Sequence, residues 1–333
     1  MAVKIGINGF GRIGRYLTRI MAGEKDVEVA VVNARADNAS LALLLKYDSC
    51  HGRFQADVSH NDQGLLVNGK QIVVSRNPLG EYAWKDQGVD IAVETTGKIK
   101  DRDGLQKHLD RGAKKAIISA PGKGVDLTVV MGVNDALYDG AKHTVLSNAS
   151  CTTNCLAPAA KVVHETFGIV HGLMTTIHSY TMSQRILDGS HKDLRRARAA
   201  ALNMIPTTTG AAKAVAEVIP ALKGKLDGMA IRVPTPNVSL VDLVCELSRD
   251  TTVEEVNAAL KAASAGPLKA NMGYSEEPLV SMDYMGSAFG GVVDAGCTTV
   301  MDKRLLKLII WYDNEAGFTH QLLRLIKLVA KSL

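Results

Sequence analysis

Short apolar runs alternate with helix-period segments through the first half of the chain. Val3–Ile7 is apolar and a turn follows it. Arg12–Met21 has helical spacing, with Ile13, Tyr16, Leu17 and Ile20 predicted on one side. Val27–Val32 reads as a second strand, closing a strand–helix–strand unit. Further strands are predicted at Val89–Glu94, Ala116–Ser119, Val129–Met131 and Thr144–Leu146. Small or polar loops follow them: "TTG", "APGKG", "GVND" and "SNAS". Strands that are apolar throughout imply burial on both faces, hence a parallel sheet covered by helices.

After residue 150 the rhythm changes. One long helix is expected over Cys151–Phe167. Longer strand-like runs follow: "GLMTTIHSYT", "KLDGMAIRVPTP", "SLVDLVCELSR" and "KLIIWYDN". A helical segment, Val253–Ser264, sits among them. This pattern suits a mainly antiparallel mixed sheet with helices on one side. Ala316–Leu333 reads as a terminal amphipathic helix. No internal repeat or low-complexity linker breaks the chain.

The first candidate chemistry is Gly9-Phe10-Gly11-Arg12-Ile13-Gly14, placed between a strand and a helix. In that context Gly9 permits the tight turn, Gly11 lets backbone approach a pyrophosphate, and Gly14 lets helix and strand pack closely. The helix N-terminus offers free N–H groups to phosphates. The alternative is a tight turn with no ligand. A dinucleotide fold of this type carries an Asp or Glu about 20 residues further on, holding the adenosine ribose. Here "VVNARADN" presents Ala34, then Arg35.

The second candidate is Cys151 in "SNASCTTNCLAP". Ser150 is a plausible N-cap, which puts Cys151 in the first helical turn. A thiol there feels the helix dipole, so its pKa is expected to fall. Cys155 lies one turn on and is expected to be buried and inert. Half of a metal site is the other alternative for the pair. No second Cys/His pair stands at zinc-finger spacing, so no metal is expected. His178, in "TTIHSYT", shares a strand face with Thr176 and Tyr180. Paired with a helix-start cysteine it becomes a candidate general base.

Composition narrows the classes. The chain has 333 residues, long enough for two domains, and is 46% hydrophobic and 22% charged. A net charge of +5 suits anionic metabolites but is too small to argue for nucleic acid. No apolar run approaches the ~20 residues of a membrane span. The N-terminus runs almost directly into "VKIGING", so no signal peptide is expected. Five cysteines in a chain of this length argue against a disulfide framework and for a cytoplasmic setting.

Taken with "KYDSCHGRF", "HKDLRRARAAA", "PTTTGAAKAV", "RVPTPNVSLVDL" and "WYDNEAGF", these motifs resemble phosphorylating glyceraldehyde-3-phosphate dehydrogenases from end to end. The resemblance implies a Rossmann-type cofactor domain over 1–150 and 315–333, and a catalytic domain over 151–314. It implies Cys151 as nucleophile and His178 as base. It implies a phosphorylated aldehyde as substrate, with its phosphate near Thr181 and Arg232. Inorganic phosphate is then expected near Ser150, Thr152, Thr209 and Gly210, with Arg196 between the two anions. On the cofactor side it implies Asn8, Gly9, Phe10, Gly11, Arg12, Ile13, Gly14, Ala34, Arg35, Arg76, Thr96, Ser119, Ser190 and Asn314. It also implies a homotetramer in which the Tyr180–Ala201 loop lies near a neighbouring cofactor site. No dedicated nucleic-acid or membrane partner is expected.

Departures from the family pattern sharpen the cofactor expectation. NAD-specific members resembling this chain have Asp at the position of Ala34, and often Leu-Pro where Gly189-Ser190 stands. Their loss relieves crowding and repulsion of a 2′-phosphate, so NADP is expected, with or without NAD, and with it a gluconeogenic leaning. Met182 and Ser183 replace a common Asn and Asp beside the substrate site. The alternatives are an erythrose-4-phosphate dehydrogenase, which hydrolyses its thioester, and a cofactor-binding regulator without catalysis.

Overall fold

The computed structural model describes residues 2–333. The chain forms two compact units. Of the described residues, the first comprises 2–129, Asp135–Ala149 and Thr319–Leu333; the second comprises Val130–Asn134 and Ser150–Phe318.

The first unit is built on nine strands: β1 (Val3–Asn8), β2 (Val27–Asn33), β3 (Val58–Asn61), β4 (Gly64–Val67), β5 (Lys70–Ser75), β6 (Ile91–Glu94), β7 (Lys115–Ile118), β8 (Leu127–Thr128) and β9 (Val145–Ser147). Their order is β3-β4-β5-β2-β1-β6-β7-β9-β8. Every pair from β5 to β8 is parallel, and only the β3–β4–β5 edge is antiparallel. The helices are α1 (Arg12–Met21), α2 (Asn38–Lys46), α3 (Trp84–Gln87) and α4 (Arg102–Asp110). Asp37 and Asp101 cap α2 and α4, each accepting a backbone N–H three residues on. Ile5, Ile7, Val31, Val32, Ile91 and Val93 are fully buried, as a sheet covered on both faces requires.

Two local expectations are corrected. The buried stripe of α1 is Gly14, Leu17, Thr18 and Met21, while Ile13, Tyr16 and Ile20 are only half-buried. The helix turns its glycine to the sheet because that is the side on which it sits close. Val129–Met131 is not a strand; the ladder ends at Thr128. The chain turns there, with Val130 N–H taken by the Asn134 side chain and Val133 N–H by the Val130 carbonyl.

The second unit holds β10 (Ile169–Ser179), β11 (Ile205–Thr208), β12 (Leu226–Val233), β13 (Ser239–Leu247), β14 (Met272–Ser275), β15 (Gly291–Met301) and β16 (Leu305–Tyr312). The order β11-β12-β10-β13-β16-β15-β14 is mixed and mostly antiparallel. Its helices are α5 (Cys151–Phe167), α6 (Ala211–Val218) and α7 (Val253–Ala265). Strict alternation in "SLVDLVCEL" buries Ser239, Val241, Leu243, Cys245 and Leu247 on one face. α5 packs against that sheet and against α6 and α7. It is therefore buried almost all round, through Cys155, Leu156, Ala157, Ala159, Ala160 and Val163. Each fully buried Leu or Val of such a core contributes about 1.5–3 kcal/mol. The last helix, α8 (Ala316–Ala330), begins in the second unit and continues in the first.

Gly14 fixes how closely α1 approaches the preceding turn. A Cβ there would lie 2.4 Å from the Gly9 carbonyl oxygen, a backbone atom that cannot swing away. Gly14→Ala is expected to cost about 1–3 kcal/mol, read as a lower thermal midpoint together with weaker dinucleotide binding. Unchanged stability and binding would contradict the close approach.

Candidate active site

In the second unit Ser150 caps α5, accepting the Thr153 N–H at 3.0 Å. Cys151 is thereby fixed as the first helical residue. His178 comes from β10, whose buried face carries Met174, Thr176 and His178. The two side chains meet, with Cys151 Sγ 3.5 Å from His178 Nε2. β12 runs parallel to β10 with Arg232 directly opposite His178. The Arg232 Nη1 lies 2.5 Å from His178 Nδ1 and donates to the Ser179 carbonyl at 2.9 Å. That same carbonyl is 2.7 Å from His178 Nδ1. A guanidinium only donates, so Nδ1 accepts from Arg232 or gives its own proton to Ser179, not both.

Burial dominates the electrostatics. It pushes the Cys151 thiol up, against Arg232 and the backbone N–H groups of Thr152 and of the cysteine itself. This runs against the expected fall: the helix start is present, but the packing around the thiol outweighs it. Burial first, then Arg232, push His178 down to about 3, opposed by the Ser179 carbonyl. Each group is thus held neutral on its own, and charge appears in this pocket at least cost as a balanced pair. Cys155 is buried, its thiol pushed well up, and donates to the Ile310 carbonyl at 3.6 Å, a packing role.

A tyrosine that the sequence did not single out braces this pair. The Thr176 hydroxyl donates to the Leu240 carbonyl at 3.0 Å and so accepts from Tyr312 O–H at 2.8 Å. Tyr312 in turn accepts from Thr152 O–H at 2.9 Å. The Thr152 hydroxyl proton is therefore committed inward, and its oxygen turns a lone pair to Sγ, 4.0 Å away. The Tyr312 ring also stands edge-on to His178, with centroids 5.9 Å apart. The signal in the sequence was the alternation of "LIIWY", which sends Tyr312 to the buried face.

Arg196 is anchored rather than solvated. Its Nε donates to Thr207 Oγ1 at 2.8 Å, and the Thr207 hydroxyl donates to Asp193 at 2.9 Å. Gly210 is the N-cap of α6, with no side chain and open space around it, and the Ala211 N–H donates to Thr209 Oγ1 at 3.2 Å. The Arg232 Nε is buried with no partner among the described residues. Thr181 is half-buried, and its hydroxyl pairs with Ser183 at 2.9 Å. Asn314 accepts from Ser239 at 2.8 Å through Oδ1, so its amide N–H groups face elsewhere. Asp313 beside it, missed in the sequence, accepts from the Ala316 N–H and Asn237 at 2.8 Å. In the Tyr180–Ala201 loop, the Ser190 carbonyl accepts from Arg185 Nε at 2.9 Å.

In the first unit Gly9 has φ +99° and lies against Thr95 and Thr96, while Gly11 caps α1 with no side chain and open space beyond it. The uncapped N-terminus and the space at Gly11 fit a dinucleotide phosphate. Not every expected neighbour is free to join. Arg12 is engaged by Asp48 in a two-bond ion pair that holds the carboxyl down at about 2. Phe10 is buried and Ile13 half-buried. Asn8 is 1% exposed, with its side chain committed to Asn33 and Glu94. Thr96 is bound to Glu94 through N–H and hydroxyl. Ser119 donates to the Glu94 carbonyl at 2.9 Å. Arg76 donates to the Ala36 carbonyl at 2.9 Å and to Asn38, bracing the loop after β2. Ala34 is half-buried and Arg35 exposed. Among the described residues no group of three or more His, Cys, Asp or Glu could hold a metal ion, and no helix is long and apolar enough to cross a membrane.

A parallel-sheet unit with a phosphate-fitting glycine turn and a second unit with a thiol–imidazole pair define a dinucleotide-dependent oxidoreductase. Residues 3–102 match the family described as glyceraldehyde 3-phosphate dehydrogenase, NAD binding domain, and residues 150–314 match its C-terminal domain. The chain is 61% identical over 332 residues to a glyceraldehyde-3-phosphate dehydrogenase of Geobacillus stearothermophilus, covering 99% of both chains. It is 58% identical to glyceraldehyde-3-phosphate dehydrogenase 1 of Bacillus subtilis, again over 99% of both, and 53% identical to glyceraldehyde-3-phosphate dehydrogenase 2 of Nostoc, over 99% of both. The chain belongs to the glyceraldehyde-3-phosphate dehydrogenase family of NAD(P)-dependent oxidoreductases.

Arg232 is the charge that most favours the Cys151 thiolate. Removing it raises the thiol further, so less thiolate is present at a given pH. Arg232→Ala is expected to slow alkylation by neutral iodoacetamide about tenfold at pH 7 and to move the pH profile upward. An unchanged profile would remove Arg232 from the account of cysteine reactivity.

Proposed function

We propose that the chain is a phosphorylating glyceraldehyde-3-phosphate dehydrogenase that works through a covalent cysteine intermediate and accepts NADP. The observation that carries the mechanism is Cys151 Sγ at 3.5 Å from His178 Nε2, with Arg232 on the far side of the ring. Sγ adds to the aldehyde carbon, and the thiol proton ends on the former carbonyl oxygen, giving a thiohemiacetal. The Cys151 N–H at the helix start is available to the developing oxyanion. Nε2 then takes the hydroxyl proton as hydride leaves the carbon. Bound NAD(P) supplies the hydride acceptor. The thioester left on Cys151 is a good acyl donor; inorganic phosphate attacks it and gives up its proton to solvent, releasing an acyl phosphate, while the departing sulfur takes the proton back from Nε2 and the thiol and neutral imidazole are restored.

Nε2 accepts a proton only as the Nδ1–H tautomer, with Nδ1–H given to the Ser179 carbonyl. Arg232 competes for that arrangement. A substrate phosphate on Arg232 satisfies its partnerless Nε and draws donors from Nδ1. Anchored Arg196, Thr209 and the open start of α6 at Gly210 suit the second anion. Thr152 contributes its N–H, its hydroxyl proton being held by Tyr312. Thr181 completes the substrate side.

Ala34 supports NADP use. A carboxylate there would meet a 2′-phosphate with a repulsion of about 4 kcal/mol per charge pair at ~4 Å and an effective dielectric near 20. The ribose hydrogen bonds lost to NAD are worth roughly 1.5–3 kcal/mol. Asp37 is occupied as the cap of α2, each of its oxygens accepting from Ser40. Exposed Arg35 adds a positive charge on the same loop. Gly189 leaves ordinary contact distances to Arg185, room that a larger residue would fill. The loop that carries it exposes Met182, Ile186, Leu187 and Leu194, which supports its burial against another subunit of a homotetramer.

Steady-state kinetics test both halves. Aldehyde oxidation is expected to require inorganic phosphate for sustained turnover. NADP is expected to reach at least about a tenth of the kcat/KM of NAD, a difference of about 1.4 kcal/mol. Ala34→Asp is expected to depress NADP use more than NAD use. Turnover indifferent to phosphate would contradict the phosphorolysis, and a larger preference for NAD would contradict the cofactor assignment.

A further inference from the structure

β5, β2, β1 and β6 are neighbours in the first sheet, and at their carboxyl ends partly buried Ser75 joins buried Asn33, Asn8 and Glu94 in a polar chain. Its directions are fixed at both ends. The Trp84 indole N–H donates to His108 Nδ1 at 2.9 Å. An indole only donates, so the imidazole proton sits on Nε2 and points to Glu94 Oε2 at 3.3 Å. Tyr82 stacks on the imidazole, with centroids 4.2 Å apart and planes 9° from parallel, so the ring does not turn. From the other end, Asn33 Oδ1 accepts from Ser75 O–H at 3.1 Å and from Asn77 N–H at 2.9 Å. Asn33 Nδ2 therefore donates to Asn8 Oδ1 at 2.9 Å, and Asn8 Nδ2 donates to Glu94 Oε2 at 2.5 Å. The Thr96 N–H donates to Glu94 Oε1 at 2.7 Å, and the Thr96 hydroxyl donates to the same oxygen.

Four donors thus converge on one carboxylate that is 1% exposed. The chain also reaches the phosphate turn. Gly9 N–H donates to the Asn33 carbonyl at 2.9 Å, and the Thr95 hydroxyl donates to the Gly9 carbonyl at 2.8 Å. We propose that Glu94 is a positioning residue for the dinucleotide: it orients the amides of Asn8 and Asn33, with His108 held in one tautomer by Trp84, and so locks Thr96 and the Gly9 turn in their binding shape. Asn8 acts through this chain, not by a side chain turned to the cofactor. The proposal rests on the dinucleotide-binding reading of the first unit, and not on the cysteine chemistry.

An amide at position 94 has one acceptor end. With its oxygen toward Thr96, its NH₂ faces the NH₂ of Asn8 and the N–H of His108. Turning Asn8 over only moves the donor–donor clash to Asn33. Glu94→Gln is therefore the direct test, with affinities for NAD and NADP read by titration. Both are expected to weaken about tenfold or more, while KM for aldehyde and phosphate at saturating cofactor stays within about twofold. A second pair guards against a misfolded variant. His108→Gln keeps an acceptor for Trp84 and a donor for Glu94, and is expected to bind within about threefold of wild type; His108→Leu is expected to lose about tenfold. Folded Glu94→Gln with wild-type affinities would overturn the proposal, as would equal losses in the two His108 variants. Failure of the unaltered protein to bind either dinucleotide would instead overturn the reading of the first unit.

Discussion

β10 and β12 run parallel with His178 set opposite Arg232, and the reactive pocket of the second unit depends on that register. A slip of one residue would turn the imidazole to the other face of the sheet. The same face receives α5, which carries Cys151 at its capped start. Thiol, imidazole and guanidinium are thus fixed by three separate elements, with the imidazole buried and the thiol and guanidinium partly so. Burial makes an isolated charge costly, so protons in this pocket are best moved within the pair or against an incoming anion. Arg232 links the two possibilities, because it shares one carbonyl and one ring nitrogen with the proton of His178.

The first unit applies the same rule to binding. Its exposed features are slight: an open Gly11, an uncapped α1, and a half-buried Ala34. Beneath them lie Trp84, His108, Glu94, Asn8 and Asn33, each hydrogen bond having one permitted direction. Buried polar networks of this kind specify one arrangement because any reversal leaves a donor facing a donor. Asp37 and Arg76 play comparable parts in the loop after β2, where they shape the backbone around Ala34.

Much of this was legible in the residues themselves. The strand–helix rhythm located β1, α1 and β2, because fully buried strands and a glycine turn leave an unmistakable pattern. The helix start at Cys151 followed from Ser150, since capping is a local interaction. The pairing of His178 with Arg232 was not legible, because register is a long-range property of strands 54 residues apart. The direction of the Cys151 shift was misjudged for a related reason: the helix dipole is local, whereas burial is decided by the whole sheet. The pairings of the Arg12 side chain with Asp48 and of the Asn8 side chain with Glu94 join distant segments and leave no local pattern to read. Val129–Met131 has the composition of a strand, but beyond the Val129 N–H, which still reaches the Ser147 carbonyl, the chain turns away from the sheet.

The central claim is that Cys151 carries the acyl group between oxidation and phosphorolysis. Intact-protein mass spectrometry after mixing with aldehyde substrate and oxidised cofactor, with phosphate withheld, tests it most directly. One acyl group on Cys151, lost on adding inorganic phosphate and never formed in Cys151→Ser, is the predicted result. Reduced cofactor accumulating with no acyl group on Cys151 would contradict the account.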